Sequence, residues 1–252
     1  MFEELWLTLL GFVAGLLGSI IGLGGGIIII PVLTFVGYSP TLVSSSSIFA
    51  VFSNAVASSV SYSKQKRIEY SLGLKLGLLS IPGTVVGAFL SSDIAPSYFK
   101  ILFGLILISA SIYIFSRRKI ESKSYNFSKQ IMLLAIASSF LAGIISGLFG
   151  VGGGIIFVPL MVILMGLSMK SAAPTSQFIL LFASASALVT HTLLGHTEFF
   201  NALLLASGAF VGGLVGARLS IEIKEGGLKI LICIVMVVAA VKLFIDSLEV
   251  PF

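Results

Sequence analysis

Two triple glycines, each set in an apolar run and each followed by a proline, are the residues of this chain best placed to do chemistry. Residues 15–31 read GLLGSIIGLGGGIIIIP and residues 143–159 read GIISGLFGVGGGIIFVP. Gly24, Gly25 and Gly26 therefore correspond to Gly152, Gly153 and Gly154, and Pro31 to Pro159. Glycine has no Cβ, reaches positive φ without strain and lets a ligand approach the backbone. A helix that restarts after such a break, from Ile27 or Ile155 onward, offers free N–H groups and the positive end of its dipole. That is the geometry of an anion site. Matched, glycine-broken apolar segments in two halves of a chain are the sequence pointer to a transporter's binding site. The competing reading is that the glycines only permit tight helix crossing.

Behind each glycine run lies a neutral polar patch. The first holds Ser39-Pro40, a candidate N-cap with proline at the first helical position, then Ser44, Ser45, Ser46 and Ser47, then Asn54 and Ser58. The second holds Pro174, Thr175, Ser176 and Gln177, then Ser184 and Ser186. Ser46, Ser47, Thr175, Ser176 and Gln177 are the candidate side-chain donors to an anion. A lone serine in an apolar helix more often bonds its own i−4 carbonyl or fills a helix crossing. Every Lys, Arg, Asp and Glu falls in a loop or near a helix end, so no charge is expected at the midplane. His191 is the nearest titratable candidate, and a hydrogen-bonded interfacial histidine is the reading to beat before any proton-coupling role. Lys75 and Arg218 lie where they can snorkel to an interface. One cysteine, Cys233, provides no disulfide framework and no metal cluster, and no Walker, GxSxG or HExxH motif occurs. An enzyme is not expected, and neither is a cofactor.

The elements that must position these residues are transmembrane helices. Of 252 residues 57% are hydrophobic and 10% charged, and the mean hydropathy is +1.15. Several apolar runs are long enough to cross about 30 Å of hydrocarbon, and the alternation of a β-barrel is missing. The pattern predicts segments over 4–22, 27–37, 41–63, 71–91 and 98–116, then 130–149, 155–166, 171–194, 202–221 and 227–246. This makes residues 1–116 a first membrane repeat, 117–129 a cytoplasmic linker and 130–252 a second repeat. With a one-residue slip the correspondence continues downstream: Ser39 meets Ser168, Glu69 meets Glu198, and GTVVGA (83–88) meets GGLVGA (212–217), a small-residue helix-packing pattern.

Basic residues set the topology. Lys64, Lys66, Arg67, Arg117, Arg118, Lys119, Lys123, Lys129, Lys170, Arg218, Lys224 and Lys229 occupy one set of connections. Glu3, Glu4, Asp93, Glu198, Asp246 and Glu249, with Lys100, occupy the other. The basic set is cytoplasmic by the positive-inside rule, which puts both termini outside. Five segments per repeat then require the second repeat to be inverted. The short segments after the glycines, roughly 18 Å of helix each, either span or form re-entrant hairpins, and parity is the same either way. The fold class is thus an all-α polytopic membrane protein of two inverted five-segment repeats with Gly-broken or re-entrant helices.

The paired glycine motifs, together with "APTSQF" and "GGLVGARL" in the second half, resemble the TauE/SafE sulfite exporter family over essentially the whole chain. The resemblance implies an integral inner-membrane, multi-pass permease for sulfur-containing anions such as sulfite, sulfoacetate and related organosulfonates. One departure is that Ser44–Ser47 stands in the first half where Pro174-Thr175-Ser176-Gln177 stands in the second, so the two halves of a site are unequal. The expected activity is export by a secondary transporter using alternating access. An anion channel with the glycine loops as its filter, a non-transporting membrane subunit and an intramembrane enzyme are the rivals. The expected partners are a small anionic substrate and the lipid bilayer, with no nucleic acid. A second copy of the chain is a further candidate partner.

Overall fold

The computed structural model describes residues 2–116, 129–163, 165–222 and 225–248. The described residues form helices and connections, with no strand among them. In chain order the helices are α1 (Phe2–Ile21), α2 (Gly26–Val36), α3 (Pro40–Lys64), α4 (Tyr70–Asp93), α5 (Pro96–Ser116), α6 (Lys129–Phe149), α7 (Gly154–Ile163), α8 (Met169–Leu193), α9 (Phe199–Leu219) and α10 (Glu225–Leu248). Each coincides with a predicted segment to within a few residues. Helices α3, α4, α8 and α9 are long and apolar enough to cross a membrane. The basic run in the expected linker, Arg117 to Lys123, lies outside the described residues.

Local chemistry explains the boundaries. α2 stops at Gly37, whose φ of 95° is left-handed and whose N–H closes onto carbonyls of the last turn. Pro40 then opens α3 at its first helical position. Ser39 holds the N-cap place with extended backbone, but its hydroxyl makes no capping bond. It pairs with the Thr41 hydroxyl at 3.2 Å instead, which corrects the expected cap chemistry.

Helices of one half pack mainly on helices of the other. α1 lies on α9 and α4 on α6, α3 contacts α9 as α4 contacts α8, and α5 pairs with α10. Exchanging the two halves turns each of these contacts into its counterpart. Small residues make the crossings close, as the repeated GTVVGA and GGLVGA pattern suggested. A β-carbon at Gly87 would lie 2.8 Å from the Leu148 nitrogen, and one at Gly212 would lie 2.8 Å from the Leu16 nitrogen. Backbones this near leave no room for a side chain, and the attraction comes from dense van der Waals contact.

α3 and α8 are equivalent helices that run antiparallel. Near the end of α3, Ser58 donates to the Gln177 side chain at 3.2 Å, near the start of α8. At the other end, the Ser45 hydroxyl donates to the His196 carbonyl just beyond α8. The two ends of the bundle differ in charge. Lys64, Lys66, Arg67, Lys170 and Arg218 gather at one, where the Arg67 guanidinium donates to the Lys170 carbonyl and the Ser220 hydroxyl. Asp93 and Glu198 lie at the other, flanking the contact between Ser92 and His196.

Candidate functional site

The backbone of both glycine runs breaks, and it breaks the same way twice. Gly22, Gly24 and Gly25 have φ of 85°, 83° and 87°, and Gly150, Gly152 and Gly153 have 78°, 85° and 78°. These left-handed values cost an L-residue roughly 1–2 kcal/mol each, which is why glycine recurs. Gly26 and Gly154 are not in the breaks but begin α2 and α7. Gly22 and Gly150 are positions of the breaks outside the predicted triplets; they stand two residues before each one, and the glycine that opens the GxGGG pattern in both copies is their signal in the sequence.

The two breaks touch. A β-carbon at Gly26 would sit 2.7 Å from the Val151 Cα and 2.8 Å from the Gly150 oxygen, and one at Gly154 would sit 2.6 Å from the Gly22 oxygen. Val51, halfway along α3, and Leu180, halfway along α8, cover the crossing from either side. α1 and α2 thus fold as a hairpin with its turn at the centre of the bundle, as do α6 and α7. Residues 22–27 and 150–155 are buried throughout. Leu23 and Gly24 donate to the Gly18 carbonyl. The N–H groups of Gly25, Gly26 and Ile27, and of Gly152, Gly153, Gly154 and Ile155, have no acceptor among the described residues. Buried donors of this kind normally find a partner. Here they cluster at two helix starts whose dipoles favour negative charge.

The predicted side chains divide into two groups. Ser47 donates to the Gly150 carbonyl at 2.8 Å, and Ser176 donates to the Gly22 carbonyl at 2.7 Å. Each third helix therefore clamps the break of the opposite half. The Gln177 amide donates to the Gly18 carbonyl at 2.9 Å while its oxygen accepts from Ser58. Ser47 and Ser176 thus have their protons committed to carbonyls in the breaks, and Gln177 donates to a carbonyl in the last turn of α1. Ser46 and Thr175 are different. The Ser46 hydroxyl is buried without a partner, and Thr175 accepts from the Glu69 N–H at 3.0 Å. They lie on opposite sides of the crossing, because α3 and α8 are antiparallel. Asn54 is fully buried, and neither polar atom of its amide has a partner. It sits on α3 between Val51 and Ser58, against Gly213 of α9. In the sequence Asn54 is one member of the polar patch, with no signal that sets it apart.

None of the Lys, Arg, Asp and Glu residues whose side chains are described is buried. Groups of three or more His, Cys, Asp or Glu able to hold a metal are likewise missing among them. Cys233 is buried and exchanges backbone-directed contacts with Ser111 on α5, a packing role.

Apolar helices with paired, buried backbone breaks at the core are the architecture of a polytopic membrane transporter. The chain belongs to the family described as Sulfite exporter TauE/SafE, whose pattern matches residues 7–243. It is 31% identical to the probable membrane transporter protein YunE of Bacillus subtilis, over 96% of this chain and 97% of that one. It is 27% identical to a probable membrane transporter protein of Methanocaldococcus jannaschii, over 90% of each chain. The Sulfite exporter TauE/SafE family protein 1 of Arabidopsis thaliana is 31% identical over 50% of this chain and 28% of its own length. No solved structure matches the chain.

Proposed function

We propose that this protein is a secondary transporter that moves small sulfur-containing anions, such as sulfite or organosulfonates, out across the cytoplasmic membrane by alternating access between inverted halves. The observation that carries the reading is the crossing of the two breaks, with uncommitted N–H donors of α2 and α7 buried beside each other. Such donors bind negative charge without a cationic side chain. A site with no fixed charge also releases its anion readily, which a transport cycle needs. Ser47, Ser176 and Gln177 act here by holding the breaks open, and Ser46, Thr175 and Asn54 are the side chains with hydrogen-bonding capacity to spare.

Inversion is supported by the antiparallel run of α3 and α8. Two equivalent helices pointing in opposite directions are related by an axis lying across them, so whatever faces one side in the first half faces the other side in the second. The gathering of basic residues at one end supports a cytoplasmic location for it. Outward movement fits the energetics, since an inside-negative potential drives an anion out by about 2.3 kcal/mol per charge per 100 mV.

The test is flux of labelled sulfite and sulfoacetate from proteoliposomes at a set potential. Flux that saturates and falls at least tenfold in Gly152→Leu is expected, because that side chain would enter the crossing against Val51. Absence of flux for every sulfur oxyanion, or an unchanged rate in a folded Gly152→Leu protein, would overturn the proposal.

A further inference from the structure

The one-residue slip between halves pairs two further sets of residues. Tyr62 corresponds to His191 and Arg67 to His196. The structure treats them alike. The Tyr62 hydroxyl donates to the Ser19 carbonyl at 2.8 Å, and His191 Nε2 lies 2.8 Å from the Gly147 carbonyl, the equivalent position before the other break. At the basic end the Arg67 guanidinium stands 5.3 Å from the centre of the Tyr62 ring. At the other end the His196 and His191 rings lie 5.4 Å apart, with their Nδ1 atoms at 3.2 Å. One mouth thus carries a permanent cation, and the other carries at the same place a group that becomes a cation only by taking a proton.

The partners dictate where the protons lie. A carbonyl only accepts, so His191 Nε2 carries hydrogen toward Gly147. In the neutral ring its Nδ1 is then bare, and it accepts from the Nδ1–H of His196. His196 Nε2 is bare in turn and accepts from the Ser92 hydroxyl, 3.2 Å away. One added proton fits at His196 Nε2: it only reverses the Ser92 contact, with that oxygen now accepting. A second would set two Nδ1–H groups against each other. The chain of hydrogen bonds holds a single extra proton without rearrangement.

We propose that the His191–His196 pair is the binding site of a proton that accompanies the anion, giving the outer mouth the charge that Arg67 gives the inner one. The site deepens the transport reading and rests on it for the anion. Its hydrogen bond through His191 reaches Gly147, in the last turn of α6 before the second break, so the proton is joined to the helix that ends at the anion donors. The elements around the pair supply Ser45 from α3 and Ser92 from α4. The charged groups nearest the pair in the chain and on the neighbouring helices are Asp93 after Ser92 and Glu198 at the N-cap of α9, both of which favour a cation, and Lys100 early in α5, which opposes it. Burial pushes the His196 imidazole below its ordinary range, so the proton is taken up on the acid side of neutrality.

Two measurements test this. The chain has two histidines, so the nitrogen NMR spectrum of imidazole-labelled protein in detergent reports the pair alone. Expected are a His191 Nε2–H and a His196 Nδ1–H tautomer, and the uptake of one proton well before the second. Two rings titrating independently near the ordinary value of about 6.5 would overturn the site. In proteoliposomes, anion entry from the outer face is expected to carry protons inward, read by an internal pH dye, and to accelerate at least threefold when that face is acidified by one unit. His196→Gln, at a half-buried loop position, should lose both effects. Anion flux that moves no protons, or a His196→Gln profile superimposed on the original, would overturn coupling while leaving anion transport intact. Absence of any flux strikes the transport reading, and the NMR titration still decides the site.

Discussion

Ser47 and Ser176 show how much can depend on one hydroxyl in this protein. Each reaches from the third helix of one half to a carbonyl in the break of the other, at Gly150 and Gly22. The carbonyls belong to residues with left-handed backbone, which cannot pass them on to a regular helical donor. Removing the hydroxyl leaves a buried acceptor alone, at a cost of roughly 1–3 kcal/mol. Ser176→Ala should lower the thermal midpoint in detergent and slow anion flux, while Ser39→Ala, whose hydroxyl caps no helix, should change neither. Equal behaviour of the two variants would show that the clamp contributes nothing. Asn54 poses the opposite case: its amide is fully buried and neither of its polar atoms has a partner among the described residues.

At the scale of elements, the bundle is held by crossings of small residues rather than by large interlocking side chains. α4 on α6 and α1 on α9 approach so closely that the backbones themselves are in contact. Lipid tails are as apolar as leucine, so helices gain little from hiding apolar surface and much from this close packing. Gly87→Leu should therefore separate α4 from α6 and destabilise the protein by well over the 1–3 kcal/mol typical of overpacking. Val86→Leu, one residue along on an exposed face, should be neutral. A melting curve of each purified variant checks this, and similar midpoints would refute a packing role for Gly87. The hairpins α1–α2 and α6–α7 depend on those crossings, since α1 and α6 are the helices whose ends carry the breaks.

For the whole molecule, the contrast between its ends carries the argument. One end gathers Lys64, Lys66, Arg67, Lys170 and Arg218, and the other has Asp93, Glu198 and the histidine pair. The only native cysteine, Cys233, is buried, so single-cysteine labelling has a low background. Glu198→Cys should react with an impermeant maleimide on intact cells, and Lys64→Cys only after permeabilisation. Labelling of both from the same side would contradict the fold, and an exchange of the two would reverse the orientation. The two ends are not alike: one carries the Arg67 guanidinium and the other the His196 imidazole, whose charge depends on the solution that bathes it.

Helix positions and the doubled motif were legible in the sequence, because each depends on local composition. Apolar length decides what enters a bilayer, glycine decides where a backbone can turn, and neither needs knowledge of what lies opposite. The extra positive-φ residues Gly22 and Gly150 were legible too, as the glycine that precedes each triplet. The destinations of side-chain protons were not. Ser46 and Ser47 are adjacent and chemically identical, yet one is unpartnered and the other clamps a carbonyl 103 residues away. A one-residue step on a helix turns a side chain by about a quarter of a circle or more, so tertiary packing alone chooses which of two neighbours meets the break. The same holds for His196, a plain loop residue until the end of α8 folds it against His191 and places Ser92 of α4 at its other nitrogen.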